Sequence, residues 1–436
     1  MAGVSPRERN FIEDDLTSMF SQEYLRNLAK ETGLVKRERK IDPFVMFWVL
    51  TFGFGVRLQR TLASLKRSYE KKADCTLSDS SFYYRFTPEL VSFLKACVIH
   101  GFKYMASEQT HNLNKKLDKF CDVVIQDSTI IRLHESLSKL YPATRSKKET
   151  AGAKVAVLVS AVANGPQRVG IYSESTNELK TIMIGPWVKD KILLIDLGFY
   201  KYQLFTRIKE NGGYFVSRLK KNANPLIIKA NRTCKGRSID VTGQHLKDVL
   251  PKLKRNVLDV EVAVSFKRRS YNGKRKSDTE RFRLVAVFNE EDEKYHAYIT
   301  NINSDILDPE DLAKLYGARW DIELLFKELK SRYALDVIDT KNPQIIEALI
   351  WVSILTLLVS RRIHTIVRRR NVGKKIVRFT QLRWSTIFAE NASDQLTAIL
   401  NYVGIQRDFF TVADVYDSQA LDPHVNRVRF REEWWA

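Results

Sequence analysis

The spacing of apolar residues changes character twice along this 436-residue chain, and these two changes constrain its fold more than any other feature. Up to about residue 118 the pattern is helical. Periodic segments cover Phe11–Lys30, Asp42–Phe54 and Leu58–Lys71, and a further helix starts at Thr87-Pro88-Glu89, with an N-cap residue followed by proline at the first helical position. From Phe120 the pattern turns to strands. Cys121 to Asp127 continues into Ser128 to Leu133, and the runs Lys154–Ser160 and Val169–Tyr172 flank a turn at Asn164-Gly165-Pro166. Lys191–Ile195 is a continuous apolar run, as expected of a strand covered on both faces. A helix over Tyr200–Glu210 and a strand over Tyr214–Arg218 follow, separated by Gly212-Gly213. Residues 219–306 read as a β-rich insertion. Val260, Val262, Val264 and Phe266 alternate with polar or small residues, Asn272-Gly273 is a hairpin turn, and Phe282–Phe288 and Tyr295–Thr300 supply further strands. At Asp308-Pro309 the helical period returns and predicts one long helix to about Tyr333.

The chain carries 72 Lys plus Arg against 51 Asp plus Glu, a net charge of +21. Such an excess calls for a polyanionic partner, nucleic acid or an anionic surface. With 44% hydrophobic and 11% aromatic residues a packed core is expected and disorder is excluded as the default. Cys75, Cys97, Cys121 and Cys234 show neither C-x-x-C nor zinc-ligand spacing, so they read as thiols of a reducing compartment. Residues 1–15 lack the apolar region of a secretory signal. The longest apolar stretch, Ala348–Val359, is too short to span a bilayer and reads as a core helix. No membrane partner and a cytoplasmic, nucleoid-associated location are expected.

The helix from Asp308 is the most informative segment. At 100° per residue Tyr316, Arg319, Glu323, Lys327 and Lys330 share a stripe about 80° wide, beside an apolar face of Leu315, Ile322, Leu325, Phe326 and Leu329. The stripe reads equally as a solvated face with Arg319–Glu323 and Glu323–Lys327 ion pairs or as one wall of a site. A site needs carboxylates from elsewhere, and the strands offer two. Asp127 lies inside an apolar strand, where a charge demands partners. Asp196 follows the buried run Ile192–Ile195, and could also cap the next helix. Two Asp and a helix-borne Glu are hard oxygen ligands suited to Mg²⁺ or Mn²⁺. Two such ions together would activate a water or a 3′-hydroxyl and stabilise the leaving oxygen of a phosphodiester. No P-loop, G-x-S-x-G or H-E-x-x-H competes with this reading.

Tyr316-x2-Arg319-x3-Glu323-x6-Lys330 resembles the Tyr-Arg-Glu-Lys signature of DDE transposases of the insertion-sequence-four type. Gln126-Asp127-Ser128-Thr129 resembles their first-Asp motif, Ile195-Asp196-Leu197-Gly198-Phe199-Tyr200 the second, and Gly213–Leu219 the strand that follows. The resemblance covers about residues 120–360. It implies an α/β fold, an RNase H-like mixed sheet with flanking helices, interrupted by a β-rich insertion, with helical N-terminal and C-terminal regions. The expected division is a helical DNA-binding region over 1–118, the core over 119–218 and 307–380 with the insertion 219–306 between them, and a helical region and tail over 381–436. It also implies cut-and-paste transposition with two Mg²⁺ per active site, Mn²⁺ substituting. Asp127, Asp196 and Glu323 would be the metal ligands, and Tyr316, Arg319 and Lys330 would hold phosphates and strand ends. Double-stranded DNA is the implied partner, and a homodimer the expected form of the synaptic complex. Some relatives stack a displaced base on a tryptophan of the insertion. Here no Trp lies between Trp187 and Trp320, so Tyr271, Phe266 or Tyr298 would have to serve if a base is displaced; all three read first as ordinary strand aromatics.

Two segments concentrate the positive charge. Lys252–Arg283 carries a net +7, with Lys267, Arg268 and Arg269 facing Lys274, Arg275 and Lys276 across the hairpin turn. Arg361–Arg378 carries a net +8, including Arg368, Arg369 and Arg370. Both are candidate DNA-binding surfaces. Two further functions share the fold: a catalytically silent or domesticated DNA-binding protein, and a DNA endonuclease without strand transfer. Three intact carboxylates favour an active enzyme.

Overall fold

The computed structural model describes residues 10–37, 41–58, 61–73, 75–107, 113–144, 150–232, 239–268, 277–336, 338, 340–371 and 380–405. Its centre is a single nine-stranded mixed sheet in the order β3-β2-β1-β4-β5-β9-β8-β7-β6. The strands are β1 (Asp122–Leu133), β2 (Ala151–Ser160), β3 (Gly165–Ser173), β4 (Lys191–Ile195), β5 (Tyr214–Arg218), β6 (Leu226–Ala230), β7 (Val257–Lys267), β8 (Ser277–Asn289) and β9 (Lys294–Thr300). The first three form an antiparallel meander, and β4 and β5 join parallel to β1. This is the RNase H-like sheet that the resemblance implies. The strands read as an insertion extend the same sheet, because β9 hydrogen-bonds antiparallel to β5.

Both faces of the sheet are covered, which explains the continuous apolar runs. In β4, Ile192 and Leu194 enter one core while Leu193 and Ile195 enter the other, as the two-residue strand period requires. Full burial of each such side chain contributes about 1.5–3 kcal/mol. One layer contains the N-terminal helices and the helices after the sheet; the other is closed by Tyr202–Glu210 and the strand-rich half.

The apolar stretch Ala348–Val359 sits inside a 28-residue helix, Pro343–Arg370. By length and composition this helix could cross a membrane, yet 83% of its most apolar window is buried within the protein. It packs against Pro88–Ser107 and the π-helical turn Leu50–Phe54. Contact there is so close that a Cβ on Gly55 would lie 1.8 Å from Thr356 Oγ1, so only glycine fits. The first predicted helix divides into Phe11–Met19 and Gln22–Glu31, because Ser21 caps the second by accepting from Tyr24 N at 3.1 Å.

The expected single helix Asp308–Tyr333 is two, Pro309–Gly317 and Trp320–Ser331. Gly317 ends the first, and the backbone tightens through three-residue bonds from Asp321 N to Ala318 O and Ile322 N to Arg319 O. The uniform 100° step therefore fails between Tyr316 and Glu323. The expected tail, and the basic residues Arg269, Lys274, Arg275 and Lys276 together with Tyr271, lie outside the described residues.

Candidate active site

Strand register places the first two carboxylates. The parallel pairing of β1 with β4 ends at Gln126 opposite Ile195, so the next residues on these adjacent strands are Asp127 and Asp196. Asp127 accepts from Ser128 N at 2.7 Å. Asp196 accepts from Gly198 N at 3.0 Å and so also caps the short turn Leu197–Phe199. The third carboxylate comes from the helix Trp320–Ser331, which packs on β1. Tyr316 reaches from the preceding helix to Ile195 O, 3.4 Å away, and Lys330 Nζ donates to Ile130 O at 2.9 Å. Two signature residues thus tie the helical segment to the strands that carry Asp196 and Asp127.

Arg319 links the two walls. Its guanidinium lies 2.8 Å from Glu323 Oε1 and 3.5 Å from Asp196 Oδ1. It also lies over the rings of Tyr316 and Trp320, 6.0 and 5.6 Å from their centres. The carboxylates face solvent more than the arginine does: the side chains of Asp196 and Glu323 are 35% and 39% exposed, that of Arg319 13%. The ion-pair reading of Arg319–Glu323 and the site reading are therefore both realised by the same atoms.

Burial is the largest influence on Asp127 and pushes its carboxyl up to about 6. The charges of Asp196 and Glu178 push the same way, against the Ser128 N–H and Arg319. Burial also lowers the Lys330 ammonium.

Sequence reasoning missed a second ring of residues. Ser128 Oγ donates to Glu178 at 3.0 Å, and the buried Lys154 lies 2.8 Å from the same carboxylate. Neither Glu178 nor Lys154 belongs to a motif; Lys154 was visible only as a charge at the start of an apolar strand. Arg57 also reaches the site helix from the N-terminal region, donating to Lys330 O and Asp336. Trp320 lies beside Arg319 and is 62% exposed.

The candidate DNA-binding residues are placed differently from one another. Lys267 is exposed on β7. Arg268 is bound to both Glu210 and Asp278. Arg370 covers the Phe11 ring at 4.0 Å, and Arg368 and Arg369 precede it at the end of the same helix. Three other cations counted in the basic segments are buried: Arg283 pairs with Asp259, Arg361 with Glu328 and Arg362 with Asp15. Phe266 lines a cavity of about 640 Å³ with Tyr200, Tyr202 and Lys220, whereas Tyr298 is buried 5.4 Å from Tyr316.

Three hard carboxylates on adjoining elements suit a divalent cation by donor chemistry. Among the described residues no three His, Cys, Asp or Glu side chains are yet drawn together tightly enough to hold one. The positive charge between Asp196 and Glu323 is supplied by Arg319 instead.

Fold and site together define an RNase H-like core with two carboxylates, Asp127 and Asp196, side by side on adjacent central strands. Residues 119–359, more than half of the chain, match the family model of the transposase DDE domain. The chain belongs to the DDE transposase family, whose members generally use divalent metal ions. It is similar to the transposase for insertion sequence element IS231F of Bacillus thuringiensis subsp. israelensis, 24% identical over 391 residues, covering 80% of this chain and 78% of that protein. It is also similar to the transposase for insertion sequence element IS1151 of Clostridium perfringens, 22% identical, covering 82% and 81%. Among solved structures it matches the piggyBac transposase synaptic complex with hairpin DNA at 10% identity and TM-score 0.43, covering 97% of this chain and 88% of that one.

Proposed function

We propose that this chain cleaves phosphodiester bonds at the ends of an insertion sequence and joins the freed ends to target DNA, with Asp127, Asp196 and Glu323 as the catalytic carboxylates. The observation that carries this reading is the juxtaposition of the three: Asp127 beside Asp196 by strand register, and Glu323 joined to Asp196 through Arg319. These carboxylates would hold two Mg²⁺, with Mn²⁺ as substitute. Bound there, the ions supply charge neutralisation at the phosphate and activation of the attacking hydroxyl or water. Tyr316, Arg319 and Lys330 position the phosphates and strand ends; Lys330 and Tyr316 do so from the carbonyls of the two carboxylate-bearing strands. Lys267, Arg268 and Arg269, Lys274, Arg275 and Lys276, and Arg368, Arg369 and Arg370 contribute to the wider DNA surface, with the helical region 1–118 as a further DNA-binding element. Double-stranded DNA, both element ends and target, is the partner, and a homodimer pairs two ends. The expected location is the nucleoid-associated cytoplasm.

The test is metal-dependent cleavage of a duplex carrying the element's own ends. Asp127→Asn should fall to background; cleavage equal to that of the unaltered chain would sink the assignment. Joining of a pre-cut end then separates a transposase from an endonuclease of the same fold. Lys330→Ala should spare metal binding and impair end processing, and a loss of metal affinity matching Glu323→Ala would contradict its positioning role.

A further inference from the structure

We propose that Arg319 couples DNA binding to metal binding, holding Asp196 and Glu323 as their counter-cation until a phosphodiester draws its guanidinium away. This rests on the reading of those carboxylates as metal ligands. Three observations support it. First, Arg319 contacts both carboxylates at 3.5 and 2.8 Å, so a cationic group already stands where a divalent ion would need their oxygens. Second, the described residues contain no preformed cluster of three metal-ligating side chains, although the three carboxylates lie on adjoining elements. Third, two other cations of the site are committed elsewhere: Lys330 to Ile130 O, and Lys154 to Glu178 and Thr176 O.

The chemistry of the group sets the direction of the exchange. A guanidinium binds phosphate oxygens with the same two-pronged geometry that it offers a carboxylate. Its position over the Tyr316 and Trp320 rings provides a weakly hydrated seat that does not depend on either carboxylate. Once a phosphate takes the guanidinium, Asp196, beside Asp127 on the adjacent strand, and Glu323 on the facing helix are left uncompensated, an arrangement that favours capture of a divalent cation. Metal and DNA then bind with positive coupling, and linkage requires the effect to be reciprocal. The consequence is an enzyme that acquires its ions at the DNA rather than before it.

The experiment measures Mn²⁺ binding to the full chain by electron paramagnetic resonance, with and without a DNA duplex, and asks for no catalysis. Asp127→Asn/Glu323→Gln with the same duplex serves as the blank for ions held by DNA. In the unaltered chain DNA should tighten Mn²⁺ binding by about five- to 150-fold, the usual range of such couplings. Arg319→Ala should bind Mn²⁺ more tightly than the unaltered chain without DNA, and the effect of DNA should shrink severalfold. Arg319→Lys, which keeps the charge, should retain part of the coupling and guards against a misfolded alanine variant; the Mn²⁺-induced shift in melting temperature gives a second readout. Weaker Mn²⁺ binding by Arg319→Ala, or an undiminished effect of DNA, would overturn the coupling while leaving the metal site standing. Binding by the double-variant blank equal to that of the unaltered chain would overturn the site and the coupling together.

Discussion

Two glutamates five residues apart on one helix form the same chemical pair with arginine and do opposite things with it. Glu328 meets Arg361 with side-chain exposures of 1% and 3%, and Tyr333 O–H donates to the same carboxylate at 3.0 Å. Glu323 meets Arg319 with exposures of 39% and 13%, and Arg319 also serves Asp196. The first pair is closed and joins the helix to Pro343–Arg370; the second is open to water and to any ligand. What separates them is the helical face: five residues turn the helix through more than a third of a circle beyond one full turn. The same ion pair is thus closed or accessible according to the helical face that carries it.

Breaking each pair sharpens the contrast. Glu328→Gln leaves Arg361 buried without its counter-charge and should cost about 3–5 kcal/mol in a urea denaturation series. Glu323→Gln in the open pair should change stability by less than about 1 kcal/mol while eliminating strand cleavage. Similar stability losses for the two would mean that both pairs are structural.

Asp127 extends the comparison with a dependence on pH. Burial pushes its carboxyl up to about 6 in the folded chain, against about 3.9 for an unperturbed Asp. Its ionised form is therefore disfavoured by folding. The penalty is absent below the unfolded value, grows as pH rises through the folded value, and is complete above it. Asp127→Asn should accordingly raise the unfolding free energy by about 2 kcal/mol at pH 8, discounted for its partial contact with water, and by little at pH 4. An equal gain at both pH values would show that charge is not the cause.

A smaller effect is expected at the second ring. Glu178→Gln removes the counter-charge of buried Lys154 and should cost about 1–2 kcal/mol, less than a sealed pair because Glu178 is partly open. It should also lower the Asp127 titration, since Glu178 pushes that carboxyl up. Smallest of all, Arg268→Ala removes exposed pairs with Glu210 and Asp278 and should leave the urea denaturation midpoint unchanged. A lowered midpoint would assign Arg268 to the fold rather than to the surface.

The legibility of the chain follows the range of the forces involved. β4 and β5 fall where the apolar runs and Gly212-Gly213 put them, because burial on both faces and chain breaking are local signals. The break at Gly317 was within reach of the sequence, since an interior glycine weakens a helix, but a uniform helical step concealed it. Charge counting misread Arg361 and Arg362, which lie buried against Glu328 and Asp15 and cannot serve a DNA surface. Counting sees the cation and not its distant partner. Glu178 and Lys154 escaped for the same reason.

The sequence by itself determined the order of elements, the three carboxylates and the signature residues around them, because periodicity, chain breakers and residue spacing are written along the chain. Only the tertiary structure decided that Asp127 stands beside Asp196, that Arg319 bridges Asp196 and Glu323, and that the insertion strands extend the central sheet. Those facts depend on strand register and on contacts between residues far apart in the chain, where the free energy of packing, not local preference, selects the partner.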